Sequence, residues 1–174
     1  MLKNRKEAYE LLQRLGAPAR LLVHVQLVGE AADLLVRNYM ELGLEFDGRL
    51  IELGTAIHDA GKIKFPGELD SPGSRHEPAG EALMLANNVQ PEVARCCVSH
   101  ATWSEPSVSF EERSVALADK LWKGKREEAL ELSVIDEAAA RLRLTRWDVF
   151  SQLDSAFEEI AAGGAERLSR SRSR

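Results

Sequence analysis

Apolar residues recur every three or four positions along almost the whole chain, and no useful stretch alternates with a period of two. That spacing selects helices with one buried face and leaves no material for a sheet. Ala8, Leu11, Leu12 and Leu15 share a face in a first helix over residues 4–15, which Gly16 ends. Pro18 suits the first turn of a second helix, which runs to about Leu42 with Gly43 as its stop. Leu21, Val25, Val28, Ala32 and Leu35 form its inward stripe. Asp47 is placed to cap a third helix with Leu50, Ile51, Leu53 and Ile57 inward.

Residues 60–75 hold three glycines and two prolines and read as a loop. A helix from His76 to Val89 follows, and Pro91 opens another that runs towards His100. After a second loop over 101–109, helices are expected at Phe110–Lys123, at 126–143, and from a cap at Thr145 to Gly163-Gly164. In the last of these Trp147, Phe150, Leu153, Phe157 and Ile160 repeat at helical spacing. The fold class is therefore all-α, with seven or eight helices in one domain over residues 1–165, a length that can bury a real core. The closing segment 166–174 alternates Ser and Arg and reads as a disordered tail.

The formal net charge of −5 argues against a surface that coats nucleic acid. Only the tail, with Arg167, Arg170, Arg172 and Arg174, offers a place for RNA or a phosphorylated partner. No apolar run approaches the roughly 18 residues that span a bilayer. The first residues, Met-Leu-Lys-Asn-Arg-Lys-Glu, lead into helical periodicity rather than a secretory core, so the expected compartment is the cytoplasm. The only two cysteines, Cys96 and Cys97, are adjacent. They suit small buried positions on a helix better than a disulfide or a zinc knuckle.

The chemistry concentrates in a few polar residues. His58-Asp59 stands where an apolar helix pattern runs out, with Lys62 close behind. Imidazole and carboxylate together suit a divalent cation with nitrogen and oxygen ligands. The chain has four histidines, His24, His58, His76 and His100, and none in its last 74 residues. Taken singly, each is as well explained by a structural hydrogen bond. Asp119 sits in the apolar run Val115-Ala-Leu-Ala-Asp119-Lys-Leu-Trp122, where a carboxylate is costly unless paired or bound to metal. A salt bridge to Lys120 or Lys123 would satisfy it equally.

The ordered set His24, His58-Asp59 and Asp119, with the segments "HDAGK" and "LADKL", resembles the HD-domain superfamily of metal-dependent phosphohydrolases. The resemblance covers roughly residues 18–125. It implies that His24, His58, Asp59 and Asp119 hold one divalent metal. His76 and His100, in the contexts "RHEPAG" and "SHATW", are similar to the extra pair of the binuclear branch. There they hold a second metal and Asp59 bridges the two. Manganese, iron, cobalt, nickel or magnesium would suit such ligands.

The activity that this resemblance implies is hydrolysis of a small phosphomonoester or phosphodiester, most naturally a nucleotide. Two cations about 3.5–4 Å apart polarise the phosphoryl group and generate the attacking hydroxide. Asp59 and Lys62 take the catalytic roles, Lys62 by stabilising phosphate charge. Arg20, one turn before His24, shares its face and is a candidate for a phosphate oxygen, or for a surface ion pair. Arg75 and Glu77, beside His76, are candidates for substrate contact or for support of that ring. Trp103 and Trp122 are candidates for walling the pocket. The competing class is a catalytically silent HD-like module for signalling or partner binding, although such relatives lose ligands that are all present here.

Overall fold

A computed structural model describes residues 1–172 of the chain. These fold into α1 (Arg5–Arg14), α2 (Ala19–Glu41), α3 (Gly48–Ile57), α4 (His76–Ala86), α5 (Pro91–Ala94), α6 (Cys96–Ser99), α7 (Phe110–Leu121), α8 (Glu128–Leu142), α9 (Arg146–Ala162) and α10 (Gly164–Arg172). Two short 3-10 turns, Ala60–Ile63 and Pro66–Leu69, join α3 to α4. No strand occurs among the described residues, so the all-α class holds. Eight of the helices run nine residues or more, and α5 and α6 are single turns parted by Arg95. None is long and apolar enough to cross a membrane.

Local chemistry sets the ends. The Asp47 side chain accepts from the Leu50 amide at the start of α3, as its position in the sequence suggests. Ser109 and Glu112 form a reciprocal capping box on α7, and Thr145 with Asp148 does the same on α9. Gly16, Gly43 and Gly124 all take positive φ where α1, α2 and α7 stop. Helix α4 ends three residues sooner than its pattern predicts, because Asn88 turns left-handed at φ 61.

Helix α2 threads both halves of the core. Its Leu21 and Val25 join α1, α3 and α4 around Leu12, Leu53, Ile57 and Met84. Its Val28, Ala32 and Leu35 join α7, α8 and α9 around Phe110, Leu117, Val134 and Phe157. His24 lies between the two sets of contacts. Trp147 is a correction to the expected stripe of α9: it stands 73% exposed, because Val149, Leu153, Phe157 and Ile160 take the inward face.

The expected disordered tail is also corrected. Residues 166–172 belong to α10, and Arg167 is buried. Its guanidinium donates to the carbonyls of Ile160 (2.9 Å), Trp122 (3.0 Å) and Leu121 (3.5 Å), at the ends of α9 and α7. Arg170 adds a two-pronged contact with Glu30 of α2, at 2.7 and 2.6 Å. These partners, not a helix pattern, hold the Ser-Arg segment in place. The last two residues of the expected tail lie outside the described ones.

Candidate metal centre

Six elements converge on one point. His24 projects from the interior of α2, His58 caps the C-terminus of α3, and Asp59 opens the following 3-10 turn. His76 begins α4, His100 follows α6, and Asp119 comes from the last turns of α7. The approach of the Ala60–Ile63 turn to α4 depends on glycine. A Cβ at Gly61 would stand 1.7 Å from the carbonyl oxygen of His76. Gly61 therefore lets Asp59 and His76 come together.

Asp59 sits at the centre, buried, and its two oxygens divide the other ligands. Oδ2 lies 3.0 Å from Nε2 of His24 and 3.7 Å from Nε2 of His58. Oδ1 lies 3.2 Å from Nε2 of His76 and 3.6 Å from Nε2 of His100. Asp119 Oδ1 joins the first set, 3.2 Å from His58 and 3.5 Å from His24. Two groups with metal-ligating capacity result: His24, His58, Asp59 and Asp119, and Asp59, His76 and His100. Ligands bonded at about 2.0–2.2 Å to one cation stand roughly 3.0–3.6 Å apart, close to the 3.0–3.7 Å between the histidine nitrogens and carboxylate oxygens of the first group.

Three of the rings are held in the tautomer that ligation needs. His58 Nδ1 donates to the Thr55 carbonyl (2.8 Å) and His100 Nδ1 to the Cys96 carbonyl (2.9 Å). His76 Nδ1 donates to Glu68 Oε2 (2.5 Å). Each of these partners can only accept, so Nδ1 carries a proton and Nε2 is the nitrogen that faces the carboxylates of the cluster. His24 Nε2 is buried with no hydrogen bond of acceptable geometry, although two carboxylates flank it. An orphaned nitrogen between carboxylates suits a cation that all three bind. The donor set is nitrogen and carboxylate oxygen, with Cys96 and Cys97 buried and not among the two groups.

The electrostatics of the bare cluster agree. Burial alone would push the acids up, yet the surrounding histidines hold Asp59 and Asp119 well below the usual carboxylate range. Burial pulls His24 down, but Asp119 and Asp59 outweigh it and raise the ring to about 9. His76 rises for the same reason, with Asp59 and Glu68 overcoming burial. His100 goes down, from burial and then the nearness of His58.

A cleft of about 490 Å³ opens beside His24. Lys62 and Arg20 line it, as does Trp122, whose ring meets His24 edge-on at 5.1 Å. Lys62 Nζ donates to Asp59 Oδ2 at 2.7 Å. Arg20 lines the cleft and makes the ion pair that was its alternative, with Asp70 at 2.6 Å. Arg75 is not brought in: it is exposed, with its guanidinium 6.0 Å from the Phe65 ring. Trp103 packs on the main core instead.

Glu68 was not legible as a site residue. It lies in the Pro66–Leu69 turn, eight residues before the ring it holds, and no spacing rule joins the two. Lys123, Ser171 and Arg172 also line the cleft without a sequence signal. No protein-family model, curated protein or solved structure matches the chain, so the site stands on its own geometry.

Proposed function

We propose that this protein is a metal-dependent phosphohydrolase of the HD-domain type, with two divalent cations held by His24, His58, Asp59 and Asp119 and by Asp59, His76 and His100. The observation that carries this reading is the division of Asp59: each carboxylate oxygen faces its own set of Nε2 atoms, as a bridging ligand would. Bound there, such cations supply Lewis-acid charge to a phosphoryl group and acidify the water that attacks it.

The chain's own residues account for the rest. The buried acids and Nδ1-anchored imidazoles keep the ligand geometry fixed before substrate arrives, so little reorganisation accompanies the reaction. Lys62 Nζ, on the cleft side of Asp59, is placed to neutralise charge on a non-bridging phosphate oxygen. Arg20 is placed to hold a phosphate oxygen on exchanging its Asp70 partner. Trp122 gives the cleft an aromatic wall for a base or another flat leaving group. Hydrolysis breaks the phosphorus–oxygen ester bond, and water provides the new oxygen on phosphorus and the proton of the departing alcohol.

Two measurements test the reading together. Metal analysis should return close to two cations per chain, and a panel of phosphomonoesters, mononucleotides and cyclic nucleotides should reveal turnover with manganese, cobalt or nickel. Metal-loaded protein that hydrolyses none of them would favour a silent binding module. Turnover that survives Asp59→Ala would refute the site.

A further inference from the structure

The cleft beside His24 carries more positive charge than one phosphate requires. Arg20, Lys62, Lys123 and Arg172 line it, and no acidic side chain does so among the described residues. This happens on a chain whose formal net charge is −5, so the sign of the cleft is local. The four cations fall into two pairs. Lys62 and Arg20 belong to the ligand side: Lys62 is bonded to Asp59, and Arg20 precedes His24 by one turn of α2 and is paired with Asp70. Lys123 and Arg172 come from beyond Trp122 and from α10, and neither has an ion-pair partner among the described residues.

Arg172 reaches the cleft because α10 is fastened there. Arg167 binds the carbonyls that end α7 and α9, and Arg170 clamps Glu30 of α2. Arg172 is thus delivered by a helix with its own buried anchor. Ser171 of the same turn adds a hydroxyl to the lining.

Resting on the phosphohydrolase reading, we propose that Lys123 and Arg172 form a subsite for a second phosphate, so that the substrate is a small phosphoester bearing two phosphate groups. The scissile phosphate faces Lys62 and the carboxylate–histidine cluster, and the second lies towards α10. Two cations in a concave site, with no ion-pair partner among the described residues, attract a polyanion more than they attract a single phosphate. A volume of about 490 Å³ suits a ligand of small-molecule size.

The test is a titration of the full-length, chelator-treated protein with inorganic pyrophosphate and with inorganic phosphate, by calorimetry at low salt. Wild type should bind pyrophosphate at least about tenfold more tightly than phosphate, the scale of one charge-assisted contact. The double variant Lys123→Ala/Arg172→Ala should lose about tenfold in pyrophosphate affinity and under about threefold in phosphate affinity. The charge-keeping pair Lys123→Arg/Arg172→Lys should restore most of the loss. Both side chains are exposed, so neither variant threatens the fold.

Equal affinity for the two anions, or an equal loss of both in the double variant, would overturn the subsite. A 5′-phosphorylated oligonucleotide binding more tightly than pyrophosphate would also overturn it, in favour of a nucleic-acid surface. Pyrophosphate binding as described, with no phosphoester hydrolysed under any metal, would remove the phosphohydrolase reading and leave the subsite. Hydrolysis without anion preference would do the reverse.

Discussion

Glu68 holds His76 twice: its Oε2 accepts from the ring Nδ1 at 2.5 Å and from the backbone amide of the same residue at 3.1 Å. The carboxylate sets both the tautomer of the ring and the position of the first residue of α4. On the far side of that ring, Nε2 stands 3.2 Å from Asp59 Oδ1. Replacing such an outer partner usually costs about 10–100-fold in metal affinity. On the proposed two-cation reading, Glu68→Gln should therefore weaken one cation by that factor and leave the other in place. Stepwise chelator competition followed by metal analysis distinguishes the two. An unchanged pair of affinities would mean that Glu68 serves the fold alone.

Asp59 is the member whose loss both ligand groups feel. Asp59→Asn keeps its shape but removes its charge, and should take the metal content below one cation per chain. Lys62→Ala touches only the cleft side of that carboxylate. It should retain both cations and lower kcat by about 10²-fold, the scale of one lost electrostatic contact to developing charge. Metal content and kcat measured on one preparation of each variant separate these outcomes.

Gly61→Ala puts a methyl group against backbone, 1.7 Å from the His76 carbonyl oxygen, and neither a rotamer change nor a flexible neighbour can relieve it. Overpacking against main chain should cost about 3 kcal/mol or more. The strain should fall on the α4 start, so second-cation binding should weaken even where the protein remains folded. Urea denaturation and metal analysis on the variant report the two effects. A wild-type midpoint would show that the turn and α4 can part without cost.

On the metal-centre reading proposed above, protons and metal compete for His24. In the metal-free protein its ring is raised to about 9, so it is charged at neutral pH. Cation uptake near pH 7.5 should then release about one proton from this ring, and metal affinity should rise with pH towards 9. Calorimetry in buffers of different ionisation enthalpy counts the proton. For the metal-free fold the sign is opposite. A pKa raised above 6.5 gives stability that is present in full below pH 6.5 and is lost as pH climbs through about 9. Chelator-treated protein should be easier to unfold with urea at pH 9 than at pH 6.5 through this residue, and His24→Gln should flatten that difference.

The sequence made some of this legible and hid the rest for identifiable reasons. His24 stands out because an imidazole interrupts an otherwise apolar stripe, and Asp119 because a carboxylate does. Their burial costs are visible in the neighbours on either side. His58-Asp59 marks a helix end that the pattern shows directly. Glu68 and Arg167 give no such sign, since each acts across a loop or a helix junction on a partner that no helical spacing joins to it. Arg167 is the sharper case. Its acceptors are main-chain carbonyls, which every residue has, so its Ser-Arg surroundings suggest solvent instead of a buried anchor. Arg75 shows the opposite limit: adjacency to His76 in sequence does not make it line the cleft, and its side chain is exposed near the Phe65 ring.

The anchoring of α10 also bears on how the protein should be handled. Arg172, on the last turn of α10, lines the cleft beside Lys123. A polyhistidine tag joined to the α10 side of the protein would bring its imidazoles towards the cleft beside His24 and compete with the candidate ligands for cations. Metal stoichiometry and phosphate affinity are then best measured on protein tagged at Met1, or with the tag removed.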